Sequence, residues 1–162
     1  MKKKLFLFLG LLLLNGCERD DICIDNITPR LIIRFYNADD INSFKPVTDI
    51  EVRVIGIDSI YTGETITTST DSIAIPLRVD QDYTKFLLTQ NKNSDTENTD
   101  TLTVSYTTNP IFVGRSCGYK DIFTTVTYDY TKESSDMNWI KSIESVSSTI
   151  ENEDQAHVKI YH

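Results

Sequence analysis

From Leu31 onward, apolar and polar side chains alternate in short runs separated by turn-forming residues. Leu31, Ile33 and Phe35 fall on one side of an extended segment and Ile32, Arg34 and Tyr36 on the other, which predicts a strand with one strongly buried face. Asn37 to Pro46 reads as the loop that follows. Ile50, Val52 and Val54 repeat the pattern, with Glu51 and Arg53 facing outward. Ile57 to Tyr61 and Glu64 to Thr68 predict a hairpin turning at Thr62-Gly63. In Ser72 to Val79, residues Ile73, Ile75, Leu77 and Val79 form an inward row, and Pro76 lacks a backbone donor, which marks an edge strand or a bulge. Asp80 to Asp82 turns the chain into Tyr83 to Thr89, where Phe86 and Leu88 share a side.

The polar stretch Gln90 to Asp100 holds too little apolar surface to order itself and is expected as an exposed, mobile connection. Leu102, Val104 and Tyr106 resume alternation until Asn109-Pro110, which is expected to end the strand, with Ile111 to Val113 continuing the apolar packing beyond it. Gly114 to Gly118 makes a tight connection around Cys117. Asp121 to Tyr130 returns to strand periodicity, placing Ile122, Val126, Tyr128 and Tyr130 in one row and Phe123 in the other. Trp139, Ile140, Ile143, Val146 and Ile150 recur at helix-like intervals, but the serine-rich, β-branched content of Ile143 to Ile150 favours strand or irregular structure. Glu151 to Gln155 is a turn, and Ala156 to Tyr161 a last strand with Val158 and Ile160 inward. Seven to nine short strands without a long helical stripe indicate an all-β domain. Their spacing fits an immunoglobulin-like or related Greek-key β-sandwich, with a lipid-enclosing barrel as the alternative.

The first residues follow a different pattern. Lys2, Lys3 and Lys4 precede a ten-residue apolar run, Leu5 to Leu14. A membrane span needs roughly 20 such residues, so the run reads as a cleaved export signal. Leu14-Asn15-Gly16-Cys17 resembles a bacterial lipobox, with Asn15 the less usual residue at its position; the resemblance implies that Cys17 is lipidated and becomes the mature N-terminus. The alternative for Cys17 is a buried structural cysteine behind a hydrophobic first strand. Acidic Glu18, Asp20 and Asp21 resemble the surface-export signals of Bacteroidetes lipoproteins. The expected organisation is a signal peptide at 1–16, a lipidated tether at 17–28 and one β domain at 29–162, with the chain held by its acyl chains at the outer membrane and facing periplasm or exterior.

Removing the signal leaves 146 residues, enough for one ordinary core, and 13 basic against 24 acidic residues. That balance argues against unaided binding of nucleic acid or an anionic bilayer surface. With Cys17 lipidated, Cys23 and Cys117 remain. An oxidising compartment invites a disulfide between them, closing a loop worth roughly 4 to 5 kcal/mol in chain entropy. Two separate buried thiols are the alternative, and a redox centre is disfavoured because there is no C-x-x-C pair.

Candidate chemistry is sparse. Asp95, Glu97, Asn98 and Asp100 could offer oxygen ligands to calcium, but the run lacks the glycine and terminal glutamate of the calcium loop and reads as a solvated linker; Asp20 and Asp21 are only two adjacent acids. His157 and His162 are the only histidines, and five residues along an extended segment places them on opposite faces, against zinc binding or histidine catalysis. Ser116 lacks the flanks of a nucleophile elbow, and no carboxylate spacing suggests a glycosidase pair. No catalytic set, metal site or cofactor pattern is therefore expected. Tyr36, Phe112, Tyr119, Tyr128, Tyr130 and Trp139 could build an amphipathic binding face, with Tyr119 and Tyr130 the first exposed candidates; ordinary core or half-buried strand residues are the alternative.

Cys17, the strand Pro29 to Tyr36 and the segment Ser116-Cys117-Gly118-Tyr119-Lys120 together resemble a family of predicted lipoproteins of unassigned function found mainly in Flavobacteria and relatives. The resemblance spans nearly all of the mature chain, implies a cell-envelope location, matches Cys23 and Cys117 to a recurring cysteine pair, and supplies no activity or binding residues. Asp58-Ser59-Ile60, Asp71-Ser72-Ile73 and Asp100-Thr101-Leu102 resemble the O-glycosylation acceptor pattern of exported Bacteroidetes proteins, with ordinary strand starts as the alternative. The expected role is a non-enzymatic, lipid-anchored envelope protein that is structural or works through an envelope protein partner. A glycan or small hydrophobic ligand module is the second expectation, and an enzyme the third.

Overall fold

A run of alternating apolar residues can bury only one face, and β1 (Leu31–Tyr36) does so: Leu31, Ile33 and Phe35 are fully buried while their neighbours are half-exposed. The computed structural model describes residues 22–23, 28–56, 69–131 and 137–162. The expected hairpin at 57–68, the export signal and Cys17 lie outside the described residues, as does Ser59. Among the described residues the remaining strands are β2 (Glu51–Val54), β3 (Ser72–Ile75), β4 (Tyr83–Gln90), β5 (Asn98–Gly114), β6 (Gly118–Tyr130), β7 (Ser142–Ser145) and β8 (Val158–Tyr161).

They form two four-stranded sheets, in orders β3-β1-β8-β7 and β2-β4-β5-β6. In the first, β1 runs antiparallel to β3 (Ile33 opposite Ile73) and parallel to β8 (Ile33 opposite Val158). The second is antiparallel throughout. Phe35, Ile33, Val158 and Ile160 of the first sheet share one buried cluster with Phe86, Leu88, Leu102 and Val104 of the second. Burying a large side chain of this kind contributes about 1.5 to 3 kcal/mol. The architecture is thus all-β and two-sheeted, with eight strands among the described residues, consistent with a sandwich-like fold.

Several local expectations change. β3 ends at Ile75, just before Pro76, and lies at a sheet edge where the missing donor costs nothing. Val79 is consequently 52% exposed rather than inward. Glu51, expected outward, is nearly buried because Arg53 and Lys92 close over its carboxylate at 2.8 and 3.8 Å. The 91–97 stretch is an ordered hairpin loop: the Asn91 and Lys92 N–H groups donate to the Thr48 and Asp49 carbonyls, and Asn91 and Asn93 take the left-handed conformation that asparagine tolerates. Its last residues, Asn98 to Asp100, already belong to β5.

β5 also runs through Asn109-Pro110 without a break. Its pairing with β4 stops at Ser105, so Pro110 pairs with β6 alone and its missing N–H faces no second strand. Opposite Tyr106 the β6 register slips by one residue, and Thr125 sits at φ 50°. This bulge turns both Phe123 and Val126 into the core, where strict alternation would separate them. Residues 137–141 and 146–157 are irregular around β7; Trp139, Ile140 and Ile150 are buried, Ile143 packs at the margin and Val146 is exposed.

Candidate functional site

Past Ser105, β5 and β6 continue as a two-stranded ribbon whose tip turns through residues 115–117 into Gly118 at φ 71°. Such a φ is readily adopted only by glycine. The turn carries Cys117, which is bonded to Cys23 with S–S 1.97 Å and Cα–Cα 4.9 Å. The expected disulfide is present in the structure, half-buried, tying the lead segment to the ribbon. Thr28 extends this docking by accepting the Asp121 N–H at 3.3 Å. Arg30 then clamps Glu153 with its backbone N–H (2.9 Å), Nε (3.0 Å) and Nη2 (2.6 Å), and these donors hold the Glu153 carboxyl below the usual carboxylate range.

One face of the ribbon and the 151–155 turn enclose a cleft of about 500 Å³ lined by Pro29, Val113, Lys120, Glu151, Asn152, Glu153 and Asp154. Lys120 Nζ donates to the Glu151 carbonyl at 3.3 Å, and Glu153 is committed to Arg30. The cleft therefore offers charge but no nucleophile poised beside a base. Among the described residues, no three His, Cys, Asp or Glu side chains converge as a metal ion would require.

Elsewhere on the ribbon, Phe112 and Tyr119 stand opposite each other on adjacent strands, with ring centroids 5.3 Å apart in an edge-to-face arrangement. They are 59% and 66% exposed, Ile111 is 37% exposed, and Ile22 beside Cys23 is 84% exposed. Sequence reasoning named both Phe112 and Tyr119 among the candidate binding aromatics, but took Ile111 to Val113 as continued apolar packing and did not pair the two rings. The available signal was an unbroken apolar triplet placed directly before a glycine-cysteine turn.

Tyr130 is at the far end of β6, roughly 35 Å along the strand from Tyr119. Contrary to expectation it is half-buried, because its hydroxyl reaches the Lys141 carbonyl at 2.7 Å. Tyr36 packs against Phe44 and Tyr161, and Trp139 is buried with Nε1 donating to the Leu88 carbonyl at 3.0 Å. The six aromatics do not form one face.

The oxygen-ligand candidates diverge likewise. Asp95 is exposed in the loop, Glu97 receives Lys92 Nζ at 2.8 Å, and Asn98 donates to the Met137 carbonyl at 2.6 Å. Asp100 is buried, accepting Asn138 Nδ2 at 2.9 Å and the Ile140 N–H at 2.7 Å, so it organises the 138–140 segment. His157 Nδ1 accepts the Ile32 N–H and Nε2 meets the Asn152 carbonyl, both at 3.0 Å; His162 Nε2 meets the Lys45 carbonyl. Both histidines are bonded to backbone from different places. Ser116 lies exposed in the turn beside the bonded Cys117. Of the glycosylation candidates, Ser72 is half-buried with Oγ donating to the Ile33 carbonyl at 3.3 Å, and Thr101 is half-buried in β5 between β4 and β6.

Fold and site together define a two-sheet all-β domain whose lead segment is stapled by a disulfide to a projecting hairpin tip. The chain belongs to a family of unknown function, DUF6452, whose model matches residues 49–162. That match takes in the Ser116 to Lys120 segment and leaves Cys17, Cys23 and the Pro29 to Tyr36 strand outside it. Neither a curated protein nor a solved structure matches the chain.

Proposed function

We propose that this protein is an exported lipoprotein of the Flavobacteria type, acylated at Cys17 and held at the outer membrane, whose β domain is a structural or protein-contact element rather than an enzyme. The observation that carries the reading is the Cys23–Cys117 bond. Disulfides persist in oxidising compartments, and this one begins only six residues after the lipobox-like cysteine. A basic n-region and a short apolar run ahead of Cys17 point to the same compartment. The non-enzymatic part of the reading draws on the histidines and on Asp100 and Glu153, each of which is committed to a backbone or ion-pair role that builds the domain.

Metabolic labelling with a palmitate analogue followed by envelope fractionation tests the proposal. Wild type is expected in the membrane fraction carrying label, and Cys17→Ala is expected to lose the label. Unlabelled wild type in the soluble fraction would overturn it.

A further inference from the structure

We infer that the ribbon tip, through the exposed Phe112–Tyr119 pair, docks on the lipid headgroup layer of the membrane that carries the protein. The inference rests on the anchored reading above and adds to it an orientation of the domain. Cys23 lies six positions after Cys17, which at full extension is about 20 Å. The disulfide then fixes Cys117 with its Cα only 4.9 Å from that of Cys23. Whatever path the tether takes, the tip is the part of the domain leashed to the bilayer.

The chemistry of the tip suits that surface. A cross-strand Phe–Tyr pair that is more than half exposed presents apolar area with a hydroxyl at its rim, the combination enriched at membrane–water interfaces. The ribbon's other face carries both signs of charge, with Lys120 beside Glu151, Glu153 and Asp154, so the apolar contact falls to the Phe112–Tyr119 face. The opposite end of β5, about 50 Å away, leads into the 91–97 loop, which carries Asp95, Glu97 and one lysine and no aromatic residue. Bilayer lipid is the occupant that the short leash and the exposed aromatic pair favour together.

The test uses the full acylated chain with Phe112→Trp, reconstituted into vesicles of phosphatidylethanolamine with a minority of phosphatidylglycerol. Native Trp139 is buried and gives a constant background. Trp at position 112 is expected to shift its emission to the blue on vesicle incorporation and to lose intensity when the lipids carry brominated chains. Asp95→Trp, at the far loop, is expected to do neither. Tyr119→Trp serves as the second reporter should Phe112→Trp misfold. An unshifted, unquenched Trp at the tip of vesicle-bound protein would overturn the docking. So would a blue shift that follows protein concentration and ignores bromination, which would assign the tip to a second copy of the chain. Intact mass of the same preparation reads acylation separately, so a missing acyl group removes the anchor while an unquenched reporter removes the orientation.

Discussion

At the scale of single residues, the domain separates satisfied from unsatisfied polar groups clearly enough to predict opposite outcomes. The Tyr128 hydroxyl is buried with no hydrogen-bond partner among the described residues, and burial pushes its ionisation above the usual phenol range. An unpaired buried hydroxyl costs free energy that phenylalanine does not. Tyr128→Phe is therefore expected to raise the unfolding free energy by about 1 kcal/mol in urea titration; a loss of similar size would show that the hydroxyl is bonded. His157 gives a pH prediction. Its Nδ1 accepts the Ile32 N–H, so the ring is neutral with its proton on Nε2, and burial holds its pKa below the ordinary value of 6.5. His162 is shifted in the same direction, again chiefly by burial. The unfolded chain takes up these protons first, so their stabilisation is intact above pH 6.5 and is lost as pH falls through the lower folded values. Glu97, Glu144 and Glu153, all lowered by donors, add their loss only below 4.5. Urea titrations across the histidine window should show falling stability for wild type and a shallower fall for His157→Gln; identical slopes would contradict the assignment.

Among the elements, alternation was legible wherever a strand had one buried face, as in β1, β4 and β8, because period two follows from the pleat itself. It failed at β6, where the bulge at Thr125 inserts one residue and re-aims everything after it. Thr125 has no composition signal, since its positive φ is imposed by neighbours on both strands. Pro110 misled for the opposite reason: a missing donor stops a strand only if a partner waits for it, and pairing cannot be read locally. The disulfide was readable from the cysteine count and the compartment that an export signal implies, whereas Phe112 and Tyr119 were legible only as two of six candidate aromatics, because their cross-strand pairing depends on the ribbon register. Substitution at Thr125 tests the bulge. Glycine adopts φ 50° without strain, so Thr125→Gly should stay folded within about 1 kcal/mol of wild type. Proline is locked at negative φ, so Thr125→Pro should cost more than about 1 kcal/mol in urea titration; a proline variant as stable as wild type would refute the left-handed residue at the bulge.

For the whole molecule, net charge sets the terms of the docking. An acidic total argues against attraction to anionic surfaces, and Glu18, Asp20 and Asp21 on the tether and Glu151, Glu153 and Asp154 beside Lys120 extend it to the tip, so the docking rests on apolar contact. The family match covers most of the β domain and stops short of the lead segment, so export and acylation rest on the N-terminal pattern and the cysteine pair. Those two features make one joint claim about a single molecule, and mass spectrometry of the intact protein from an envelope fraction reads both at once. The expected mass lacks residues 1–16, carries acyl chains on Cys17, and rises by two hydrogens when Cys23–Cys117 is reduced. A species that retains Met1, carries no acyl group and does not change mass on reduction would contradict the account.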